Sequence, residues 1–150
     1  MSSWAEILRD APDFARRLRA VFDAGTNKTI ATLRADGSPR ISGTELVIDD
    51  HRVLLGAMPY SRKLADLQRD PRVALHSPTL EPPADPRAWS GDGKLSGRAV
   101  PVPPPEGMPG GSYFELDITE AVLTSIASSG TQLRIESWHP GRGYRERLRT

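Results

Sequence analysis

The stretch from Arg52 to His76 constrains the fold of this chain more than any other part of the sequence. Its residue types predict a strand, a tight connection, a short helix and a second strand. Leu64 and Leu67 are three residues apart, so they share one helical face that can rest on a core. Pro71 then ends the helix, because proline disfavours α geometry at the residue before it.

The start of this predicted helix carries three polar residues in succession, Ser61, Arg62 and Lys63. Free backbone N–H groups at a helix start favour an anion, and two adjacent cationic side chains strengthen that preference. Ser61 can add a hydroxyl donor to the same place. The pattern therefore predicts an anion site, with Arg62 and Lys63 as phosphate contacts. The alternative is an ordinary surface helix whose charges are solvated.

Strand patterns surround this segment. The predicted strands are residues 28–33, 40–48, 52–58, 72–77, 94–102, 114–127 (one or two strands) and, as the last, 133–138. Asp36-Gly37 is a hairpin signal, because glycine tolerates the positive φ that such turns need. Short turns between consecutive strands imply an antiparallel meander. About six or seven strands with few helices indicate a barrel, since closure removes exposed edges.

Two helical patterns precede the strands and supply an apolar face for packing. The apolar residues at helical spacing are Trp4, Ile7 and Leu8, followed by Phe14, Leu18, Val21 and Phe22. Residues 78–92 are rich in proline, alanine, glycine and aspartate, which predicts a loop or a partly helical excursion, and residues 103–111 are too rich in proline and glycine for a core element. At 150 residues, the chain has the size of one domain with its own core, residues 1–150.

Composition excludes several classes of function. A net charge of +1 gives no overall electrostatic footprint for nucleic acid. The absence of cysteine excludes a disulfide framework and thiolate chemistry. No stretch approaches the ~20 apolar residues of a membrane span, so no membrane partner is expected. The start of the chain has no apolar segment typical of a signal peptide, so we expect a cytoplasmic protein.

Three pieces of the sequence resemble the pyridoxamine 5'-phosphate oxidase-like superfamily of FMN-binding split barrels. Residues 52–76, with Ser-Arg-Lys before a short helix and Asp-Pro-Arg-Val after it, resemble the flavin-phosphate segment of that family. Residues 31–39 resemble its opening hairpin, and Ile135-Glu-Ser-Trp138 resembles the strand that carries a flavin-adjacent tryptophan. The three pieces occur in the order that they have in the family. The resemblance covers residues 28–78 well and 94–140 loosely.

The resemblance implies a mainly β fold, an antiparallel split β-barrel with peripheral helices, built as a homodimer whose subunits jointly form the cofactor cleft. It implies FMN as cofactor, with the deazaflavin coenzyme F420 as the alternative, and a small-molecule substrate. A flavin can supply the redox chemistry itself, so no catalytic residue is assigned. The cofactor-binding residues predicted in this way are Arg40, Ser42, Met58, Tyr60, Ser61, Arg62, Lys63 and Trp138.

The sequence departs from the vitamin-forming oxidases of the family at several positions. Ser42 and Val47 stand where those oxidases usually carry arginine and lysine, which weakens FMN binding or changes the cofactor. Arg40 partly offsets this loss, because strand alternation places it on one sheet face with Ser42; the alternative is a solvent-facing Arg40. Gly56-Ala57 replaces Tyr/Phe-Thr, and the C-terminal Arg-x-His substrate element is missing in register. A general flavin or deazaflavin reductase is the better interpretation.

The remaining polar candidates carry weaker signals. His51, His76 and His139 are scattered without the spacing of a metal site, so no metal is predicted. Glu45 lies in the predicted cofactor strand, where it orients a partner or forms a salt bridge. The arginine-rich residues 142–149 form a basic tail that is either solvated or, in a dimer, covers an anionic cofactor tail.

Two classes of function follow. The first is a flavin- or deazaflavin-dependent oxidoreductase that moves a hydride to or from a small organic substrate, with the protein acting mainly as a scaffold. The second is a non-enzymatic binder of flavin, haem or a related tetrapyrrole on the same fold, which the loss of arginine and lysine at Ser42 and Val47 favours.

Overall fold

The computed structural model describes residues 3–108 and 110–150, which form three α-helices, one 3-10 turn and nine strands. The helices are α1 (Ser3–Asp10), α2 (Pro12–Phe22) and α3 (Arg62–Arg69), and the 3-10 turn is Pro86–Ala88. The strands are β1 (Lys28–Leu33), β2 (Pro39–Thr44), β3 (Leu46–Ile48), β4 (Val53–Ala57), β5 (Arg72–His76), β6 (Asp92–Val102), β7 (Ser112–Ile126), β8 (Leu133–His139) and β9 (Gly143–Arg149).

All strand pairs of the sheet are antiparallel, and the sheet runs in the order β2-β1-β5-β6-β7-β4-β3. The 15-residue strand β7 is the branch point, because its first half pairs with β4 and its second half with β8, which in turn pairs with β9. The two ends of the order, β2 and β3, follow each other in the chain, yet the sheet does not close between them. This split barrel with peripheral helices confirms the predicted fold class.

The bend in the β6–β7 ribbon depends on one glycine. The register of this pair shifts between Ser96 and Gly97, which marks a β-bulge. A Cβ atom on Gly97 would lie 1.9 Å from the carbonyl oxygen of Asp117, so no side chain fits there. Such a bulge increases local twist, which lets the long ribbon curve around the core.

The core lies between the sheet and the two N-terminal helices. Trp4, Leu18 and Phe22 are at most 1% exposed, as the helical spacing predicted. The indole of Trp4 donates to the carbonyl oxygen of Asp49 at 2.8 Å, which fastens α1 to the β3–β4 turn. Each large apolar side chain removed from water contributes about 1.5–3 kcal/mol, so this face holds the helices on the barrel.

The structure corrects two of the strand predictions. The predicted strand 40–48 is two strands, because pairing changes from β1 to β4 around Glu45. Of the one or two strands predicted for residues 114–127, the structure forms one, β7, which begins at Ser112 and ends at Ile126. The basic tail forms an additional strand, β9, whose residues Arg145–Arg149 are exposed as the solvated alternative expected, so 133–138 is not the last strand. Within the described ranges, no helix is long and apolar enough to cross a membrane.

Candidate functional site

Helix α3 begins as the sequence predicted. Ser61 is its N-cap, with extended backbone angles, and the Ser61 Oγ accepts a hydrogen bond from the Leu64 amide at 3.1 Å. The helix ends at Arg69, because Asp70 before Pro71 adopts an extended conformation. The first amides of a helix have no intrahelical partner, so the N–H groups of Arg62 and Lys63 remain available to a ligand, while that of Leu64 is bonded to Ser61.

A cavity of about 390 Å³ lies at this helix start, between α3 and the β1–β2 hairpin. Four of the residues that line it are cationic: Arg34, Arg40, Arg62 and Lys63. The other lining residues are Ile41, Ser42, Gly43, Met58 and Ser61. No acidic side chain lines this cavity, which we call the cationic cavity. Such a concentration of one sign of charge attracts an anion.

Three of the four cations have no carboxylate partner within the described parts of the chain. Arg62 is exposed and makes no side-chain hydrogen bond there. The Nε of Arg34 contacts only a carbonyl oxygen, that of Pro39, at 3.5 Å. Lys63 Nζ has neutral partners only, the Oγ1 of Thr44 at 3.3 Å and the carbonyl oxygen of Gly43 at 3.5 Å. Among the described residues, Arg62 and Lys63 therefore have no counter-charge, and Arg34 has only a Coulombic attraction to Asp36 without an ion pair, which leaves the cavity complementary to an anionic group.

Burial lowers the pKa of the Lys63 ammonium below its usual range. This shift shows that the charged form is partly desolvated without an opposing carboxylate. An anion entering the cavity would reverse the effect, because an opposite charge within about 4–6 Å favours the ammonium form. A bound anion would therefore stabilise the charged form of Lys63.

Arg40 is the one cation of the cavity that has a carboxylate partner. Its Nε lies 2.8 Å from Oδ2 of Asp66, a side chain of α3 that is 1% exposed. The same Oδ2 accepts a 2.7 Å hydrogen bond from the Oγ1 of Thr32. Burial raises the pKa of Asp66, but the hydrogen bonds from Arg40 and Thr32 outweigh it and leave the pKa below its ordinary value. Asp66 is thus ionised at neutral pH.

A second, larger cavity of about 700 Å³ adjoins the cationic cavity, since Gly43, Met58 and Lys63 line both. It lies between β2, β3, β4 and the start of β7. Its other lining residues are Asn27, Thr44, Glu45, Leu46, Val47, Leu54, Gly56, Ala57, Met108, Gly110, Gly111 and Tyr113. Only Glu45 and Lys63 are charged, so we call this space the apolar cavity. Together the two cavities suit a flat apolar body that ends in an anionic group.

The structure gathers six of the eight predicted cofactor residues around the cationic cavity. They are Arg40, Ser42, Met58, Ser61, Arg62 and Lys63. Arg40 and Ser42 are both half-buried between exposed neighbours on β2, as strand alternation predicted. Tyr60 lies beside the cavity without lining it; its side chain is fully exposed, and its φ of 63° lies in the left-handed region.

Trp138 does not belong to this group. Its side chain is 1% exposed within the hydrophobic core, and its Nε1 donates to Asp10 of α1 at 3.4 Å. A ring in that position offers no free face to a cofactor, so we correct the prediction and assign Trp138 to the packing of β8 against the N-terminal helices.

Sequence reasoning missed two residues at the cationic cavity. Arg34 follows β1 directly, and the Asp36-Gly37 turn brings it back toward β2; its amide donates to the carbonyl oxygen of Ser38 at 2.8 Å. Asp66 follows Lys63 by three residues, which places both on neighbouring positions of α3. A search for charged residues beside the predicted hairpin turn and along one face of the predicted helix finds both.

A third cavity, of about 810 Å³, lies across β5 to β9. It contains His139, whose Nε2 lies 2.9 Å from the Glu120 carboxylate, and His76, 4.0 Å from Asp92. Arginines of β9 line its rim. Charges of both signs meet here, in contrast with the cationic cavity.

Comparison with known proteins agrees with this architecture. The family model for pyridoxamine 5'-phosphate oxidase matches residues 14–124, well over half of the chain. The chain belongs to this family. The matched residues of the pyridoxamine 5'-phosphate oxidase family model include α3 and the lining of the cationic cavity. No curated protein sequence matches the chain significantly.

Solved structures show the same fold. PhzG from Burkholderia lata 383, solved with tetrahydrophenazine-1-carboxylic acid, superposes with a TM-score of 0.67 at 14% identity, over 99% of this chain and 96% of PhzG. HutZ, the heme storage protein from Vibrio cholerae, gives 0.53 at 14% identity, over 73% and 89%. An F420 reductase gives 0.50 at 16% identity, over 67% and 92%. The pyridoxamine 5'-phosphate oxidase-like fold thus includes both oxidoreductases and a haem protein.

Proposed function

We propose that this protein is a flavin- or deazaflavin-dependent oxidoreductase that transfers a hydride to or from a small organic substrate. The observation that carries the proposal is the cationic cavity, whose lining contains four cations and no acid, next to the larger apolar cavity. FMN has an anionic phosphate at one end and a flat ring system at the other, so its chemistry fits both spaces. The F420 reductase among the structural relatives supports the deazaflavin alternative.

The residues present fit the two ends of such a cofactor. Arg62 and Lys63 would hold the phosphate, together with the hydroxyl of Ser61 and the free amides of α3. Met58 and Tyr113 would flank the ring system in the apolar cavity. When bound, the cofactor supplies the redox chemistry, while this chain binds it, orients it and excludes water from it.

Exposed apolar side chains around the cavities support the proposal of a homodimer. Ile41 is 75% exposed, Val47 46% and Met58 77%, and all three line one or both cavities. Exposed apolar groups that cluster in this way mark interaction sites. A second copy of the chain would cover them and the cofactor together. Sedimentation that shows only monomer at micromolar concentration would contradict the dimer.

The test of the phosphate site is the double variant Arg62→Ala/Lys63→Ala. Each charge-assisted contact contributes about 1.5–3 kcal/mol, so the FMN affinity should fall at least about a hundredfold. The matched control is Arg16→Ala/Arg87→Ala, which removes the same charge from exposed side chains outside the cavities. An FMN titration that is unchanged by Arg62→Ala/Lys63→Ala would show that the helix start is only surface.

The neutral residues Ser42 and Val47 favour a second candidate, a non-enzymatic binder of flavin, haem or a related tetrapyrrole. The HutZ structure shows that a haem protein has this fold. Cofactor-dependent turnover with a hydride donor separates the two functions, because only the oxidoreductase consumes the donor. Native mass spectrometry of freshly purified protein decides between FMN, F420 and haem by the mass of the bound molecule.

A further inference from the structure

Next to the cationic cavity lies a carboxylate, that of Asp66, whose charge by itself opposes anion binding. Asp66 is 1% exposed and ionised, and it does not line the cavity. Its charge nevertheless lies beside Arg40, which does. By Coulomb's law alone, a negative charge at this distance weakens the attraction of the cavity for an anion. The geometry of the contact points to a different role.

Asp66 holds Arg40 by one nitrogen only. The Nε of Arg40 donates to Oδ2 of Asp66 at 2.8 Å, and neither terminal nitrogen of Arg40 has a partner within residues 3–108 and 110–150. The guanidinium is planar and its donors have a fixed fork geometry. Fixing the Nε edge therefore fixes the direction of the two terminal nitrogens, which belong to a side chain on the cavity wall.

The carboxylate itself is held in place by the surrounding elements. Oδ2 also accepts from Thr32 of β1 at 2.7 Å, and Oδ1 lies 3.5 Å from Nη1 of Arg69. Arg69 in turn donates to the carbonyl oxygen of Leu33 at 3.2 Å. Asp66 thus ties α3 to β1 and β2, and Arg40 is the member of this network that has free donors and also lines the cationic cavity.

We propose that Asp66 is a positioning residue of the anion site: it orders Arg40 so that the two terminal guanidinium nitrogens meet the phosphate of the cofactor. This inference rests on the proposed function. An arginine that is ordered before binding loses less conformational entropy when the anion arrives, so its contribution to affinity is larger. The ordering more than compensates for the negative charge of Asp66.

The substitution Asp66→Asn separates ordering from charge, because the two effects have opposite signs. Asparagine keeps the shape and can still accept from Thr32, but it holds Arg40 less strongly and removes the negative charge. If Asp66 orders Arg40, FMN affinity falls about five- to tenfold, the cost of immobilising one long side chain on binding. If Asp66 acts only as a nearby charge, FMN affinity rises.

Riboflavin, which is FMN without the phosphate, supplies the readout that a general structural defect cannot imitate. Asp66→Asn should lower the affinity for FMN and leave that for riboflavin unchanged, measured by fluorescence titration of the folded protein. A loosened fold would weaken both. The matched control is Glu136→Gln, which neutralises another buried carboxylate that holds an arginine but lies in none of the cavities. It should leave both affinities unchanged.

Arg40→Lys keeps the inference testable if Asp66→Asn does not fold. Lysine retains the charge but has a single nitrogen, which Asp66 would hold, so no donor is left for the phosphate. The FMN affinity should therefore fall by about the same five- to tenfold as in Asp66→Asn. The double variant Asp66→Asn/Arg40→Lys should lose no more than either single variant, because each single variant already abolishes the contact of ordered terminal guanidinium nitrogens with the phosphate.

The outcomes distinguish this inference from the proposed function. Wild-type protein that binds FMN no more tightly than riboflavin would overturn both. A wild-type preference for FMN that Asp66→Asn preserves or increases, or that Arg40→Lys preserves, would overturn the positioning role alone. A preference that both variants reduce, with riboflavin binding intact, supports the role of Asp66.

Discussion

Two buried carboxylates in this protein each pair with an arginine, and the two arginines differ in how many hydrogen-bond donors remain free. Glu136 of β8 is 0% exposed and accepts from both terminal nitrogens of Arg17 on α2, while the Nε of Arg17 donates to Asp13. From Arg40, by contrast, Asp66 accepts a single hydrogen bond, that of the Nε. One arginine is saturated inside the fold, and the other keeps free donors at a cavity.

The surroundings of the two pairs explain the difference. Glu136 also accepts from the hydroxyl of Tyr144 at 2.7 Å, so its oxygens are fully engaged within the seam between α2, β8 and β9. Burial raises the pKa of Glu136, and the hydrogen bonds from Arg17 and Tyr144 bring it below the ordinary value. An ion pair of this kind joins a helix to a sheet. The same kind of ion pair can contribute to ligand binding only where the arginine keeps hydrogen-bond donors that no protein group accepts.

The largest expected effect concerns Trp138, which lies on the same inner face of β8 as Glu136. Trp138→Ala should lower the free energy of unfolding by about 3–5 kcal/mol, the usual cost of truncating a buried aromatic side chain. FMN binding by the folded fraction should not change. Urea denaturation and an FMN titration on one preparation check both. Weaker FMN binding at unchanged stability would contradict this assignment, because it would show that the contact region of α2, β8 and β9 belongs to the cofactor site.

Next in size is Glu136→Gln, which tests whether the saturated pair is structural. Weakened hydrogen bonds to a charged group cost about 1.5–3 kcal/mol of stability. The expected pattern is a lower denaturation midpoint with unchanged FMN affinity, the reverse of that for Asp66→Asn. Equal effects of the two substitutions on FMN affinity would show that the two carboxylates do not differ as described.

Ser61→Ala has a smaller effect and sharpens the comparison, because Ser61 both lines the cavity and caps α3. Loss of the N-cap should cost about 1 kcal/mol of stability, and FMN affinity should fall about two- to tenfold with one neutral hydrogen bond removed. Ser61→Asp is the informative partner variant. Aspartate still caps the helix but repels a phosphate, so stability should be kept while FMN binding falls further. Tighter FMN binding to Ser61→Asp would contradict an anion site.

The smallest effect appears only at alkaline pH. Burial and the hydrogen bond to Glu136 raise the pKa of Tyr144 to about 12, above the value of about 10 of an unfolded tyrosine. A raised pKa stabilises the folded state fully below about pH 10, and this contribution is lost as the pH rises through the folded value. Tyr144→Phe should therefore lose less stability than wild type over this range in urea denaturation. Parallel profiles of unfolding free energy against pH for wild type and Tyr144→Phe would contradict the hydrogen bond between Tyr144 and Glu136.

Much of the fold was predictable because local signals agreed with the tertiary structure. The helix start at Ser61, the buried face of Leu64 and Leu67 and the end of the helix before Pro71 all appear where the sequence predicted them. Strand β9 was not predictable in the same way. Its arginines and glutamate show no apolar alternation, since it is an edge strand that gains its stability from pairing with β8.

The site was predictable in its cations and not in its geometry. The adjacent cations Arg62 and Lys63 predict an anion site from sequence alone. The pairing of Asp66 with Arg40 was not predictable, because it depends on the tertiary contact of α3 with β2. The error at Trp138 has a physical reason. Glu136 lies on the inner face of β8, two residues before Trp138, and its ion pair with Arg17 allows a carboxylate to be buried there. A polar residue in this strand therefore does not identify the outer face, and the sequence alone does not show that Trp138 points into the core.

The most direct test of the account is the ratio of FMN to riboflavin affinity, measured by calorimetry on wild-type protein and on Arg62→Ala/Lys63→Ala. If the cationic cavity binds the phosphate, wild type should prefer FMN at least about a hundredfold, from two charge-assisted contacts. The double variant should lose most of that preference while retaining its affinity for riboflavin. Equal affinities for FMN and riboflavin in the wild type would contradict the account.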